Sequence, residues 1–195
     1  MSFLKENPKL SVPWRRIAAF FVDYFAFMVP FLAVLSLVAW ALFSFEVDPM
    51  PESAWLKHGI MLVLLTLPIV LYFALCESSG RQGTLGKRLM RVAVVNDAGE
   101  RASLSHTTIR AVAKFLPWEV FHAIYWHWEG WPTNPAAPTT LQIVGLAVGW
   151  FAVAGYLISL FIQRGRTPYD WVAGTVVVRV KVDGQNTKIG SSAYE

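Results

Sequence analysis

Little in this chain supports covalent chemistry. Of 195 residues one is cysteine, Cys76, so it has no partner within the chain and a disulfide-stapled secreted fold is excluded. There is no nucleophile elbow, no His-Glu-x-x-His and no phosphate loop. Gly80, Gly83 and Gly86 lie close together but follow an apolar helix rather than a strand, which removes a dinucleotide fingerprint. We therefore expect no enzyme activity, no catalytic residue, no cofactor and no metal. Charge is scarce as well, at 15% against 55% apolar residues, which excludes disorder and fits a soluble domain badly. The net charge of +4 would point a soluble protein toward nucleic acid. Its placement along the chain points to a membrane instead.

What is present is a set of long apolar runs. Ile17 to Phe45 has Asp23 as its one ionisable side chain, while Gly59 to Cys76 and Leu141 to Ile162 have none. Each is long enough to span a hydrocarbon core of ~30 Å, and the first must tilt or protrude. A weaker candidate, Ala111 to Trp128, carries Lys114, Pro117, Glu119, His122 and His127. Basic residues are retained on the cytoplasmic side of membranes. With four spans at about 17–45, 59–76, 111–128 and 141–162, and both ends inside, 16 of the 17 lysines and arginines are cytoplasmic, Lys57 being the exception. If the weaker segment did not cross, the basic C-terminal cluster would be moved outside. The reading is thus a mainly α integral membrane protein of four transmembrane helices with cytoplasmic termini, expected in the plasma membrane, as a prokaryotic inner membrane. Its first span is too long, and lacks the small-residue exit, for a cleaved signal peptide.

The segments 77–110 and 163–195 form a cytoplasmic layer of short interfacial helices and strands. Thr84 to Met90 reads as an amphipathic helix capped by Thr84, with Lys87, Arg88 and Arg91 set to meet anionic headgroups. Val92–Val95 and Glu100–Leu104 read as a hairpin around Asn96–Gly99, and Ser105 as the cap of the third span. Thr167-Pro168-Tyr169-Asp170 has the pattern of a helix start, and Thr175 to Val182 alternates like a half-buried strand. The two halves overlay weakly at a shift of 85 residues, Gly80-Arg81 on Gly165-Arg166 and Val95 on Val180. This would be a parallel repeat.

Three blocks carry a family resemblance: Arg16-Ile17-Ala18-Ala19-Phe20-Phe21-Val22-Asp23, then Gly83-Thr84-Leu85-Gly86-Lys87-Arg88-Leu89 with Val94-Val95-Asn96-Asp97, then Asp170-x-x-Ala173-Gly174-Thr175. Together, over about residues 14 to 180, they resemble the RDD family, membrane proteins named for one arginine and two aspartates. Tyr169 stands where many members have histidine. The resemblance implies transport of an unspecified ligand, with cation/proton antiport suggested for some members.

Asp23 is the most informative residue, because an aspartate at the centre of a span costs ~2.5–3.5 kcal/mol on insertion scales and needs a partner or an aqueous path. Arg16 shares its helix face but lies about 10.5 Å away along the axis, so Arg16 is expected to snorkel to headgroups while Asp23 faces another helix. Lys114 or Arg110 is expected to approach Asp23, either as a buried ion pair or as the tuning partner of a proton-exchanging site. Glu119 and His122 share a face one turn apart and read as a hydrogen-bonded pair or a proton relay. Asp170 reads as a helix cap, a lock on Lys87 or Arg88, or a cation entry. Two functions follow: transport of a small cation or proton-coupled solute by a homo-oligomer, or a non-transporting scaffold that binds lipid or a partner protein.

Overall fold

The computed structural model describes residues 13–45, 52–131, 134–162 and 166–180. The basic residues Lys5, Lys9, Arg164, Lys181 and Lys188, and the end of the expected last strand, lie outside them. The first helix, α1 (Pro13–Ser44), is continuous, as is the second, α2 (Ala54–Ser78). Each contains one π turn, Tyr24–Met28 in α1 and Leu62–Thr66 in α2. Their cause is visible in the sequence. A proline inside a helix lacks its amide donor and collides with the carbonyl four residues earlier. Pro30 and Pro68 would meet the carbonyls of Ala26 and Leu64, both of which lie in the widened turns.

After α2 come the short helix α3 (Leu85–Leu89) and strand β1 (Val92–Asn96). The long helix α4 (Leu104–Trp126) and α5 (Thr140–Ile162) follow, then the short α6 (Pro168–Val172) and strand β2 (Thr175–Arg179). The chain is mainly helical. Among the described residues, α1, α2 and α5 are long and apolar enough to cross a membrane. Helix α4 matches α5 in length, 23 residues each, but carries Arg110, Lys114 and Glu119. It begins seven residues before the expected Ala111, capped by Ser103 rather than Ser105, because the Ser103 hydroxyl accepts the His106 amide.

Helices α2 and α4 run antiparallel: the Thr107 hydroxyl donates to the Ala74 carbonyl at one end, and His58 meets Glu119 toward the other. Helix α5 packs antiparallel on α4, with Tyr156 donating to the Ala113 carbonyl and Gly149 lying under the Phe121 ring. The core between α2 and α4 is built from Ile69, Val70, Phe73, Ala74 and Ala111. By contrast, the Val29–Ser44 part of α1 buries no side chain. With Leu37, Val38 and Trp40 exposed, that surface suits lipid rather than water.

The strands depart from the expected hairpin. Strand β1 pairs antiparallel with β2, with Val94 opposite Val177, and the Glu100–Leu104 stretch contributes a single bridge, Val95 to Arg101. Nor is β2 half-buried. Val176, Val177 and Val178 are all covered, because one sheet face packs on Ala102, Ala93 and Val95 cluster with Val176 and Val178 on the other, and the strands meet α2 and α4. A sheet covered on both faces calls for a continuous valine run, and alternation carries no information there.

Two helices, a short helix and a strand thus occur twice in the same order. The short helices and strands overlay at a shift of 83 residues rather than 85: Thr84 falls on Thr167, α3 on α6 and β1 on β2. At that shift Val94 and Val177 are equivalents that pair with each other, as a two-fold axis through the sheet requires.

Helix α3 lies so close to α1 that a Cβ at Gly86 would sit 2.0 Å from the Ala19 carbonyl oxygen. Gly86→Ala is therefore expected to destabilise the purified protein by about 1–3 kcal/mol through overpacking. Gly155→Ala, whose added Cβ meets nothing within 4 Å, should leave the melting temperature unchanged or slightly higher. Thermal unfolding of the two variants side by side in one detergent checks this.

Candidate functional site

The N-terminal parts of α1 and α4, the C-terminal end of α2 and the short helices α3 and α6 enclose a cluster of buried charged side chains, Arg16, Asp23, Glu77, Lys87, Arg110 and Asp170. Asp23 is 2% exposed and spends both carboxylate oxygens on neutral donors. Oδ1 accepts from the Gly86 amide at 2.8 Å and the Tyr72 hydroxyl at 3.0 Å; Oδ2 accepts from the Thr84 hydroxyl at 2.6 Å. An acid in α1 thereby holds the N-terminus of α3, where unsatisfied amides and the helix dipole favour negative charge. Thr84 also accepts the Lys87 amide, as its expected capping role requires.

The expected approach of Lys114 or Arg110 to Asp23 is not what forms. Arg110 is drawn to two other carboxylates, Glu77 at 2.6 Å through Nη1 and Asp170 at 2.7 Å through Nε. The Lys114 ammonium lies over the Phe73 ring at 3.7 Å from its centre. Asp23 looks to other helices as expected, but dipoles replace the cation. Arg16 does not snorkel either: it is buried, and its Nη2 donates to Asp170 Oδ2 at 2.7 Å.

Asp170 is fully buried and accepts from Arg16, Arg110 and the Thr167 amide and hydroxyl, the last two closing a capping box. The cap reading holds, while its cationic partners are Arg16 and Arg110 rather than Lys87 or Arg88. Burial pushes the Asp170 carboxyl up, but the two guanidiniums and the Thr167 bonds outweigh it and hold it well below the usual carboxylate range. Tyr169 serves both arginines: its ring lies 5.2 Å from the Arg110 guanidinium, and its hydroxyl accepts from Arg16 at 3.4 Å.

Lys87, expected to face headgroups, is buried and pairs with Glu77. Burial pulls its pKa down, with Glu77 opposing that pull. Arg88 and Arg91 are exposed. The charges therefore alternate in a buried chain, Lys87, Glu77, Arg110, Asp170, Arg16, that crosses between the halves at Arg110–Glu77 and at Arg16–Asp170.

Glu77 was missed by the sequence reading, because it directly follows an uncharged run and looks like the first solvated residue. Its signal was position: an acid in the last turn of a helix opposes the dipole and has to find cations. Thr84 was recognised as a cap and Gly86 as part of the short helix it opens, but nothing in their spacing points to Asp23, 61 and 63 residues away.

Toward the other end of the bundle, Glu119 meets His122 at 3.2 Å, as expected. It also accepts from the Thr66 hydroxyl and lies 3.4 Å from His58. Thr66 closes the π turn of α2, so the proline-induced widening contributes a donor to this cluster.

Above the alternating chain is a cavity of about 550 Å³ between α1, α2, α4 and α5. Its floor carries Arg16, Asp23, Lys87, Arg110, Lys114 and Tyr169, and its walls are apolar and aromatic, with Phe27, Phe73, Phe115, Phe121 and Leu157 among them.

In acid, an unfolded aspartate protonates near ~3.9, whereas Asp170 in the folded protein does so lower still. Its stabilising contribution is complete above that value and is lost as pH falls through the folded pKa. Asp170→Asn should lower stability at neutral pH by about 3–5 kcal/mol, since Arg16 and Arg110 lose a buried counter-ion. It should also flatten the acid limb of the stability curve. Chemical unfolding between pH 7 and pH 3 checks both.

Comparison with known proteins finds a sequence model of the RDD family matching residues 10–174. One curated relative, described as "Uncharacterized protein YxaI" of Bacillus subtilis (strain 168), is 31% identical over 118 residues, covering 56% of this chain and 78% of its own. No solved structure matches.

Proposed function

We propose, for a chain that belongs to the RDD family, a membrane protein that crosses four times with cytoplasmic ends and moves a proton-coupled solute through the cavity between α1, α2, α4 and α5. One observation carries this reading. Asp23 lines the cavity, lies inside a membrane-length helix, and is the acceptor that ties α3 to α1 through the Gly86 amide and the Thr84 hydroxyl, with a third bond from Tyr72 of α2. Protonation removes acceptor capacity from a carboxylate, so a proton arriving at Asp23 weakens the hold on Gly86 and Thr84 and frees α3, with Lys87, to move away from the cavity floor.

The fourth crossing is supported by α4 itself, whose 23 residues reach about 34 Å. Its Arg110 and Glu119 are met by other helices rather than by lipid. Arg88 and Arg91 then face cytoplasmic anionic headgroups. A bare cation suits the cavity poorly, because Arg16, Lys87, Arg110 and Lys114 line it while both oxygens of Asp23 are in use. The solute is therefore more naturally an anion carried with a proton. One copy encloses the cavity, so this reading does not need the homo-oligomer expected from sequence, and it assigns the chain no catalysis and no cofactor.

The second reading is a scaffold, favoured by the buried charge chain that crosses between the halves. Asp23→Asn separates the two. An asparagine carbonyl can still accept from Thr84 or Gly86, yet it does not titrate. In proteoliposomes holding a pH-sensitive dye, with a panel of small organic anions and with sodium and potassium as controls, wild type should show solute-dependent proton movement. The folded, inserted Asp23→Asn protein should lose it by about tenfold or more. Equal flux from both proteins removes Asp23 from the mechanism; no flux from either supports the scaffold.

A further inference from the structure

The cavity's charge and shape define a ligand class more narrowly than proton coupling does. We infer that it binds a single-chain anionic amphiphile, a long-chain carboxylate taken from the cytoplasmic leaflet, with its headgroup at Lys114 and its chain along the aromatic walls. This rests on the preceding reading that the cavity is the solute site.

The first argument is charge. Four basic side chains line the cavity, Arg16, Lys87, Arg110 and Lys114. Arg16, Lys87 and Arg110 are each paired with Glu77 or Asp170, while Asp23 is held by neutral donors. Lys114 is the basic group left over. Among the described residues it has no carboxylate in ion-pair contact and rests on the rings of Phe73, Phe115 and Phe20 at 3.7, 5.1 and 5.4 Å. An ammonium removed from water without a counter-ion is costly, and one monoanion relieves that cost. Among the described residues, the local count of four cations against Asp23, Glu77 and Asp170 leaves room for one negative charge, which a carboxylate supplies and a doubly charged phosphate monoester exceeds.

The second argument is polarity along the cavity. The charged groups lie at its cytoplasmic end, and Phe27, Met28, Phe121 and Val153 line it farther along the helices. A headgroup at the interface with a chain running toward the bilayer centre is how a lipid of that leaflet is already oriented. The third argument is access. Phe20, Phe21 and Tyr24 of α1, Trp118 of α4 and Leu157 of α5 line the cavity yet stay 38–54% exposed, so its flank between α1 and α5 opens onto the surface that suits lipid. Its volume, about 550 Å³, falls within the ~300–1,000 Å³ of ordinary ligand sites.

The test uses the full chain in nanodiscs of zwitterionic lipid, with oleate as probe and methyl oleate, acetate and a long-chain quaternary ammonium as comparators. Oleate should raise the melting temperature and bind saturably, whereas the ester and acetate should bind at least about tenfold more weakly. The long-chain cation should not compete. Lys114→Met should fold, with stability equal to or above wild type because a buried amine is replaced by an apolar chain of similar volume, and should lose oleate affinity by about tenfold or more. Arg81→Met, at an exposed site, should bind oleate as wild type does. Equal binding of oleate and its ester, undiminished binding by Lys114→Met, or no saturable binding by wild type overturns the inference. Because no gradient is involved, oleate binding without proton flux would leave this site standing and sink the transport reading. Proton flux with some other solute and no oleate binding would do the reverse.

Discussion

A guanidinium surrounded by apolar helices has to be met by counter-ions, and at Arg110 the two that meet it come from opposite halves of the chain. Glu77 closes α2, and Asp170 lies in α6, 93 residues later in sequence. Any arrangement that separated the halves would take Glu77 from Arg110 and Arg16 from Asp170, breaking two buried ion pairs at a cost of several kcal/mol. The packing of α4 against α2, the seating of α6 and the burial of Arg16 all follow from satisfying that one side chain. Arg16 then completes the neutralisation of Asp170, and Lys87 does the same for Glu77. Such a network contributes specificity more than net stability, since an apolar core could hold the same helices together.

The twofold repeat explains why the charges are distributed as they are. Both halves end in a threonine-capped short helix followed by a valine-rich strand, and the equivalents of each strand pair across the axis. The halves differ at the position three residues into the short helix, where the first has Lys87 and the second Asp170. An identical pair of such residues facing one axis would repel. Opposite signs let each side find partners on the other, and the layer of short helices and strands becomes a single electrostatic unit. Asp23 stands outside that unit. It is bonded to an amide and two hydroxyls rather than to a member of the alternating chain.

Family membership and membrane character were legible in the chain itself: the apolar runs, the basic segments between them, the three motif blocks and the threonine caps all depend on residues close together in sequence. Asp23 stood out as a position that needs partners because a carboxylate within an apolar helix is expensive wherever it points. The Glu119–His122 pair was likewise readable, being one helical turn apart. These features follow from local chain geometry and solvent preference.

Tertiary structure decided the partners. Which base meets which acid depends on the lateral packing and relative depth of helices 60 to 154 residues apart, and small axial offsets separate an Asp23–Lys114 pair from the observed Asp23–Thr84 and Arg110–Asp170 contacts. The strand pairing was hidden for a related reason, because a strand covered on both faces has no alternation to read. A cavity leaves no mark in composition or periodicity, since it is defined by the space that several helices fail to fill.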